Sequence, residues 1–386
     1  MTTTTLRLTS RGATRARAGH PWVFSNELEG GLRGLADGQV VDLQAPTGGF
    51  VARALASPHD LVAARILTWN RREDVLHPAA LAGRLRQAES ARAMRYPGRR
   101  DLRLVNGEGD GLPGLEVDRF GDALLVRLRF PGWGPHLAAL QEALVEVFAP
   151  AGIWLVDQKN TVSQWYGDCQ DEVTIEVDGL HSRVRPGQGP GASYFYDQAD
   201  LHALVAPWCK GGRVLDAYGF NGAAARRALL AGATSAVVVE KEEAWCELAA
   251  DSAALDGLTD RLRVFCDEGK RAMQGFANLG ERYEVIFLDP PTFARTKKDV
   301  KGAVPGHVEL HALAMTLLAP GGVLVTSLRG IHVPPDEFER ALGQAALDAG
   351  RTARVLHRLG PAADHVEAPS VTEARWLQSY VLHVAL

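Results

Sequence analysis

Short apolar runs separated by glycine-rich turns fill the first 70 residues of the chain. This pattern predicts strands, and together the strands indicate a small β-barrel over residues 1–72. The predicted strands are 6–8, 39–43, 50–53 and 63–67. From residue 73 to residue 185, helical and alternating stretches are mixed, so we expect a compact α+β unit. Its predicted helices are 78–94 and 136–148, and its predicted strands are 102–106, 115–118, 123–130, 153–157 and 173–177.

The pattern changes near residue 186, where apolar runs begin to alternate with stretches of helical length. Such alternation is typical of an α/β fold with a mostly parallel, doubly wound sheet. The predicted strands are 213–216, 235–239, 262–265, 284–288, 322–326 and 376–384. The predicted helices are 197–208, 223–231, 242–255, 307–318 and 335–349, with Arg226 and Arg227 on the outer face of the second. We therefore expect three domains, at 1–72, 73–185 and 186–386, which suits a chain of 386 residues.

Composition narrows the classes of function. No run of about 18 apolar residues indicates a membrane helix, so we expect no membrane partner. Four scattered cysteines lack the spacing of a disulfide framework or a zinc site, which favours a reducing cytoplasm and no metal. The net charge is −4, yet residues 1–72 carry nine arginines against five acids, a net of +4. A basic segment on an acidic chain indicates nucleic acid as a partner.

A strand, a glycine turn and a helix follow one another early in the third predicted domain, and this arrangement presents backbone N–H groups to a nucleotide-like ligand. Asp216 ends the strand, and the turn residues Tyr218, Asn221 and Gly222 complete the predicted ligand site. Glu240 ends the next strand, where an acid can accept hydrogen bonds from a ribose diol. The turn lacks the G-x-G-x-x-G spacing, and Asp216 would repel a pyrophosphate. An acid here instead suits the ammonium and sulfonium groups of S-adenosylmethionine.

The next two strands also end in acids, so that four successive strands do. In sheets of this type, ligands bind at the carboxyl ends of the strands. Asp267 is expected to accept a hydrogen bond from an adenine amino group. Asp289 opens the loop Asp-Pro-Pro-Thr-Phe, in which Asp289 and Pro290 are expected to hold the edge of a flat base while Phe293 stacks on it. These three are the predicted catalytic residues, and Asp289 is also counted in the donor site.

Two basic segments are candidates for gripping RNA. Near the N-terminus, guanidinium groups precede aromatic residues, an arrangement that can hold phosphates and stack on bases. The alternative is that the aromatic side chains are core and the arginines only solubilise the domain. The second segment follows the Asp-Pro-Pro loop, where phosphate contact is favoured over a merely solvated face. The predicted RNA-binding residues are Arg11, Arg15, Arg17, Trp22, Arg295, Lys297 and Lys298.

Four motifs together resemble those of the ribosomal large-subunit methyltransferase I family. They are Gly19-His-Pro-Trp-Val-Phe24, the segment 103–114, the segment 117–122 and the loop 289–293. The resemblance implies an RNA-binding PUA domain, a small central domain and a class I S-adenosylmethionine-dependent methyltransferase domain with a Rossmann-like sheet. It also implies that the segment 194–198 covers the donor, with Phe195 and Gln198 in contact with it and Asp197 in the same site.

One departure from the family decides which chemistry we expect. Cytosine-5 members carry a cysteine in the strand-end motif after the Pro-Gly-Gly turn, whereas this chain has Val325-Thr-Ser-Leu-Arg-Gly330. Cytosine C5 is a poor nucleophile that needs a thiolate to add first, but a base nitrogen needs only positioning. The loop, with Lys297 and Lys298 close behind it, is instead similar to the guanine-N7 half of a bifunctional 23S ribosomal RNA methyltransferase. We therefore expect methylation of a guanine nitrogen, N7 ahead of N2, in 23S ribosomal RNA.

Several alternatives stay open at this point. One is cytosine-5 methylation of the same RNA, and another is a non-catalytic RNA-binding factor for ribosome assembly. A nicotinamide-dependent dehydrogenase is more distant, because the glycine fingerprint is wrong. The oligomeric state is also open, with a homodimer as one alternative.

Overall fold

The computed structural model describes residues 3–188 and 194–386, and the strands in these ranges form four sheets. The first sheet has the order β2-β6-β5-β4-β1-β3. Its strands are β1 (Thr4–Leu8), β2 (Trp22–Phe24), β3 (Leu28–Glu29), β4 (Val40–Gln44), β5 (Phe50–Ala56) and β6 (Val62–Thr68). Alternation is clear in β1, where Leu6 and Leu8 are buried between exposed neighbours.

A helix that the sequence did not predict follows β1. Helix α1 (Ser10–Arg17) begins at Thr9, whose hydroxyl accepts a hydrogen bond from the Gly12 N–H at 3.2 Å. Its buried residues are all small: Gly12, Ala13 and Ala16. At Gly12 no side chain fits, because a Cβ there would lie 2.8 Å from the carbonyl oxygen of Glu27. Three arginines and no large apolar residue left this segment without a recognisable helical pattern.

The second sheet, of order β11-β10-β9-β8-β7, packs with two helices. Its strands are β7 (Arg103–Asn106), β8 (Leu115–Phe120), β9 (Ala123–Leu128), β10 (Gly152–Val156) and β11 (Val162–Gly167), and its helices are α2 (Pro78–Arg95) and α3 (Leu137–Phe148). The buried core here also takes in Leu55 and Leu67 from the first sheet. The third sheet is a hairpin of β12 (Val173–Val177) and β13 (Leu180–Val184).

The fourth sheet has seven strands in the order β16-β15-β14-β17-β18-β20-β19. Its strands are β14 (Arg213–Ala217), β15 (Ser235–Glu240), β16 (Leu262–Cys266), β17 (Tyr283–Leu288), β18 (Leu318–Arg329), β19 (Thr352–Leu359) and β20 (Leu377–Ala385). Its helices are α4 (Ala199–Val205), α5 (Ala223–Leu230), α6 (Glu243–Leu255), α7 (Gly269–Asn278), α8 (Val300–Thr316) and α9 (Pro335–Asp348). Strands β14 to β18 are parallel and β20 is antiparallel to both of its neighbours, so the predicted mostly parallel sheet is confirmed.

Arg226 lies in a different environment from the one that the sequence predicted. It was expected on the outer face of its helix, but its side chain is fully buried. Its guanidinium group donates to Ser182 Oγ at 2.7 Å and to Asp256 Oδ2 at 3.1 Å. A charge can be buried in this way only because a carboxylate and other acceptors are supplied, and sequence spacing does not reveal such partners.

The described residues divide into two compact units, and neither is continuous in sequence. One unit comprises 3–171, 186–188 and 363–372, and the other comprises 172–185, 194–362 and 373–386. The β12–β13 hairpin thus belongs to the unit that contains the seven-stranded sheet. The three-domain boundaries drawn from the sequence stay a prediction.

Candidate active site

A cavity of about 770 Å³ lies at the carboxyl ends of the central strands of the seven-stranded sheet. This is the edge at which sheets of this type bind ligands. Eight of the predicted site residues line it: Phe195, Gln198, Asp216, Tyr218, Asn221, Glu240, Asp289 and Pro290. Among the described residues, four predicted members do not line it: Asp197, Gly222, Asp267 and Phe293.

The turn after β14 is held in a conformation that most side chains avoid. Tyr218 and Phe220 have φ values of 62° and 53°, and Gly222 follows at 70°. Left-handed backbone at a non-glycine residue costs on the order of 1–3 kcal/mol and is concentrated at functional sites. No side chain fits at Gly219, because an added Cβ would lie 2.8 Å from Asp216 Cγ and 2.9 Å from Val238 Cγ1.

Asp216 is buried beneath this turn. Its Oδ2 accepts a hydrogen bond from the Ala225 N–H, in the first turn of α5, at 3.1 Å. Burial raises the pKa of Asp216 to about 7, and the charges of Asp289 and Glu240 act in the same direction against the N–H donor. An acid with a raised pKa gains from a cationic partner, because such a partner favours the ionised form.

Glu240 fixes the other side of the turn. Its Oε2 accepts a hydrogen bond from the Phe220 N–H at 3.1 Å, and its Oε1 accepts from the N–H groups of Lys241 and Glu242 at 2.8 and 3.1 Å. The carboxylate is thereby held against the cavity in a fixed orientation. The rings of Phe195, Phe220 and Trp245 form a row of contacts with centroids 4.8 Å apart, and all three line the same cavity.

Asp267 is at the predicted strand end but turns to a different partner. Its carboxylate forms an ion pair with Arg271, in the first turn of α7, and the hydrogen bond from Arg271 lowers the pKa of Asp267. Its backbone N–H donates to the Glu240 carbonyl at 2.9 Å. Glu268 and Gly269 line the cavity instead. Gly269 leaves room for the Tyr218 ring, which a Cβ there would meet at 2.5 Å.

Asp289 lies at the end of β17 within a network that the sequence did not predict. Arg329, the last residue of β18, donates to Asp289 Oδ1 through Nε at 3.0 Å and to Asp289 Oδ2 through Nη2 at 2.8 Å. Its Nη1 donates to Asp197 Oδ2 at 3.1 Å. Gln198 Nε2 donates to Asp289 Oδ2 at 3.1 Å and to Ser327 Oγ at 3.0 Å. The strand-end rule that found Asp289 applies equally to Arg329.

Phe293 is directed away from the cavity. Its ring stacks on His307 of α8, with the ring centroids 4.5 Å apart and an angle of 28° between the planes. Burial lowers the pKa of His307 to about 4, so the ring is neutral at physiological pH. The loop therefore presents Pro290, Pro291 and Thr292 to the cavity, while Phe293 anchors it to the core.

The predicted RNA-binding residues fall into two groups. Arg295, Lys297 and Lys298 are exposed together on the loop before α8, and Arg295 also lines a shallow cavity of about 430 Å³. Near the N-terminus, Arg11 and Arg17 are exposed on α1.

The other two N-terminal residues are held by contacts within their own unit. Arg15 donates to Glu27 Oε1 at 3.3 Å and lies 4.4 Å from the centroid of the Phe24 ring. The Trp22 indole N–H donates to Glu108 Oε1 at 2.6 Å. These contacts favour a structural part for Arg15 and Trp22 and leave Arg11 and Arg17 as the residues that face solvent.

Comparisons with known proteins decide the family. A PUA-like domain model matches residues 6–69, and a model described as conserved hypothetical protein 95 matches residues 198–318. The chain is 30% identical over 379 residues to the ribosomal RNA large subunit methyltransferase I of Salmonella typhi, covering 95% of this chain and 94% of that one. The protein of the same name from Cronobacter sakazakii is 30% identical over 378 residues, with 95% of each chain covered. The chain belongs to the ribosomal RNA large subunit methyltransferase I family.

Solved structures support the fold of this methyltransferase. A protein described as a methyltransferase complexed with SAH superposes with a TM-score of 0.87 at 17% identity, over 98% of this chain and 100% of that chain. One described as a SAM-dependent methyltransferase from Streptococcus mutans gives 0.85 at 16% identity, with the same coverage. The predictions of a PUA-like domain, a class I methyltransferase fold and S-adenosylmethionine as methyl donor are thus confirmed.

The residues of this methyltransferase's cavity fit S-adenosylmethionine. Two of its carboxylates, Asp216 and Glu240, can meet an ammonium group and a ribose diol. The Oε1 of Gln198 is buried and has no hydrogen-bond partner among the described residues, so it can accept from a ligand N–H. The missing Cβ of Gly219 lets Asp216 and Val238 pack closely under the turn that lines the cavity.

The four cysteines of the methyltransferase lie away from the cavity lining of its described residues. Burial raises the pKa of Cys209 and of Cys246 to about 12, and it also raises that of Cys169. Cys266 is exposed, and its thiol donates to the Lys241 carbonyl at 3.7 Å.

Residues 3–188 and 194–386 contain no helix both long and apolar enough to cross a membrane. Nor do these residues contain a cluster of three or more His, Cys, Asp or Glu side chains that could hold a metal ion.

Proposed function

We propose that this methyltransferase transfers a methyl group directly to a guanine nitrogen in large-subunit, 23S ribosomal RNA, with N7 ahead of N2. The RNA substrate is supported by the names of the relatives and by the PUA-like match at residues 6–69. The chemistry is supported by one observation above all, the absence of a thiol from the described cavity lining. Methylation at cytosine C5 needs a thiolate nucleophile, whereas a guanine nitrogen attacks through its own lone pair.

The donor side of the site would be formed by Asp216, Glu240 and Gln198. When bound, S-adenosylmethionine supplies an electrophilic methyl group on a sulfonium. Asp216 would accept a hydrogen bond from the donor's ammonium, and Glu240 would accept from its ribose hydroxyls. Phe195 and Phe220 would exclude water from the apolar part of the ligand, because their rings already pack together at the cavity wall.

The acceptor side would be formed by Asp289 and Pro290. Asp289 presents a fixed carboxylate, because two N–H groups of Arg329 and one of Gln198 hold it. Pro290 restricts the backbone of the loop, so the base would meet a rigid edge. Phe293 would contribute indirectly, through its stack on His307, and not as the stacking platform that the sequence predicted.

The charge of the cavity favours N7 over N2. Methylation of guanine N7 leaves a cationic base, whereas methylation of N2 releases a proton. The carboxylates of Asp216, Glu240 and Asp289 line the cavity. Two cationic side chains, Lys241 and Arg329, also line it, but Arg329 is already paired with two carboxylates. Carboxylates placed near a developing positive charge stabilise it.

The RNA backbone would be bound by exposed cationic side chains, which are Arg295, Lys297, Lys298, Arg11 and Arg17.

The test is nucleoside mass spectrometry of ribosomal RNA methylated by the purified full-length protein. We expect methylguanosine as the product. A variant with all four cysteines changed to serine should keep activity within about tenfold, the loss arising from packing because buried cysteine behaves as a small apolar side chain. Finding 5-methylcytidine, or a cysteine-dependent covalent adduct with RNA, would contradict direct transfer to nitrogen. Tight binding of donor and RNA without turnover would indicate a non-catalytic assembly factor.

A further inference from the structure

Arg329 joins two parts of the site that are distant in sequence. Asp197 lies in the segment that leads into α4, beside the cavity-lining residues Phe195 and Gln198. Asp289 opens the loop after β17 that forms the acceptor side. One guanidinium group binds both carboxylates, Asp289 through Nε and Nη2 and Asp197 through Nη1. The segment 195–198, here called the donor segment, and the loop 289–293, here called the acceptor loop, are therefore connected through the side chain of Arg329.

The surroundings of Arg329 hold its guanidinium plane in place. The side chain is 14% exposed, and the guanidinium carbon lies 4.7 Å from the Phe195 ring centroid and 5.6 Å from that of Trp376. Burial by itself would lower the pKa of Arg329, but the charges of Asp289 and Asp197 outweigh burial and raise it. A flat, permanently charged group with several N–H donors is needed to bridge two carboxylates while stacked on rings, and lysine cannot do this.

A second connection runs in parallel with the first. Gln198 adjoins Asp197, lines the cavity and donates to Asp289 Oδ2. The other carboxylate oxygen of Asp197 is buried without a partner among the described residues, so Arg329 is the contact that holds this acid. Arg329 and Gln198 therefore both link the segment 195–198 to the carboxylate of Asp289.

We propose that Arg329 is a positioning residue that couples occupation of the donor site to the geometry of the acceptor loop. This proposal rests on the proposed function, because it takes Asp289 as the group that meets the base. In the free protein, Arg329 sets the orientation of Asp289. With the donor segment in its ligand-bound position, the same contacts hold Asp289 where the base is received, so donor and RNA bind more tightly together than separately.

The decisive experiment measures binding and not catalysis. The affinity of the full-length protein for large-subunit ribosomal RNA is measured by filter binding with and without S-adenosylhomocysteine. For the wild type we expect the nucleoside to strengthen RNA binding about 5-fold or more. Asp197→Asn and Arg329→Lys should each lower this ratio to less than about half of the wild-type value, and the contact of Gln198 with Asp289 carries the remainder. In Arg329→Lys we also expect kcat to fall by about 10- to 100-fold, as when one charge-assisted contact is lost, with the donor KM changing much less.

The matched control is Arg340→Lys, which changes an exposed arginine that pairs with Asp336 on α9. It should leave the coupling ratio, kcat and melting temperature unchanged. If Arg329→Lys is too unstable to assay, Asp197→Asn decides alone, because it removes the negative charge that Arg329 binds while nearly keeping the size of the side chain.

Two outcomes would overturn the proposal. One is a ratio near one in the wild-type protein. The other is a ratio in Asp197→Asn that equals the ratio measured for the wild-type protein. A lower melting temperature with unaltered ratio and kcat would count as the second, since it shows a purely structural part. The identity of the methylated nucleoside is a separate readout. A product other than methylguanosine refutes the proposed function while leaving the coupling measurement valid.

Discussion

Replacing Asp216 with asparagine should make the unliganded protein more stable above neutral pH while weakening its affinity for the methyl donor. The buried carboxylate has a pKa of about 7, raised chiefly by burial. A raised pKa means that the folded state holds the proton more tightly than the unfolded chain does. The free energy of unfolding therefore falls as the pH rises from about 4 to about 7, and the cost is fully present above 7.

The magnitude follows from the separation of the two pKa values. Between 3.8 and about 7, at about 1.4 kcal/mol for each tenfold change, the ionised carboxylate costs the folded state at most about 4 kcal/mol. Asparagine keeps an oxygen that can accept from the Ala225 N–H, and its amide donors replace the O–H of the protonated acid. We expect a gain of about 2 kcal/mol at pH 8, because structural relaxation reduces the cost of a buried charge. The two proteins should converge near pH 4.

The assay is thermal unfolding of wild type and Asp216→Asn from pH 4.5 to 8.5, with Glu247→Gln, an exposed acid on α6, as the control. About 2 kcal/mol corresponds to roughly 4–8 °C for a unit of this size. His202, His307 and His311 also make stability depend on pH, since burial lowers their pKa values to about 3, 4 and 3 and protonation of the unfolded chain at low pH destabilises the folded state. These histidines are present in both proteins, so their contribution cancels in the difference.

Calorimetry at pH 8 should show donor binding by Asp216→Asn weakened by about 1–3 kcal/mol, the range for hydrogen bonds to charged groups. A melting-temperature difference that stays constant across the pH range would refute the electrostatic argument. Unchanged donor affinity would refute the contact with the donor.

Three further predictions concern the rest of the site. Glu240→Ala should weaken donor binding by about 1–3 kcal/mol in calorimetry, beyond the effect of an exposed acid-to-amide change such as Glu247→Gln. Gly219→Ala should lower the free energy of unfolding by about 1–3 kcal/mol in thermal unfolding, because its Cβ has no room against Asp216. It should also weaken binding of the methyl donor. Changing both Arg11 and Arg17 to Gln should reduce the slope of log RNA affinity against log salt by about 1–2 and leave donor affinity unaltered, since each phosphate contact made on binding releases about one counterion. Equal slopes would remove α1 from the RNA interface.

The parts of the site that the sequence predicts well are those set by local rules. Asp216, Glu240 and Asp289 each follow an apolar run, and the ends of parallel strands meet at one edge, so their convergence follows from position alone. Arg329 obeys the same rule, but a lone arginine before a glycine gives no sign of the two carboxylates that it bridges. Its importance comes from tertiary pairing.

Asp267 and Phe293 make contacts that the sequence did not predict, for specific physical reasons. Asp267 pairs with Arg271 at i and i+4, a spacing visible in the sequence, but helix α7, which begins two residues after Asp267 and carries Arg271, was not predicted. Phe293 turns inward because His307, fourteen residues later, offers a neutral ring to stack on, and only the fold brings the two together. The edge strand β19 escaped prediction because its positions are mostly exposed, which removes the alternation that marks a half-buried strand.

The discontinuity of both units constrains the order in which the protein can be completed during synthesis. The unit containing the first two sheets has most of its residues by Asp171, yet it still needs the segment 363–372. Until that segment emerges, the buried Arg92 lacks the Asp364 carbonyl to which it donates at 2.7 Å, and the Arg103 N–H lacks the Asp364 carboxylate. The seven-stranded sheet likewise waits for β20. Neither unit can complete its core until residues from the last part of the chain have been synthesised. A nascent chain that stops before residue 363 therefore leaves two incomplete cores, which the quality-control machinery of the cell can recognise.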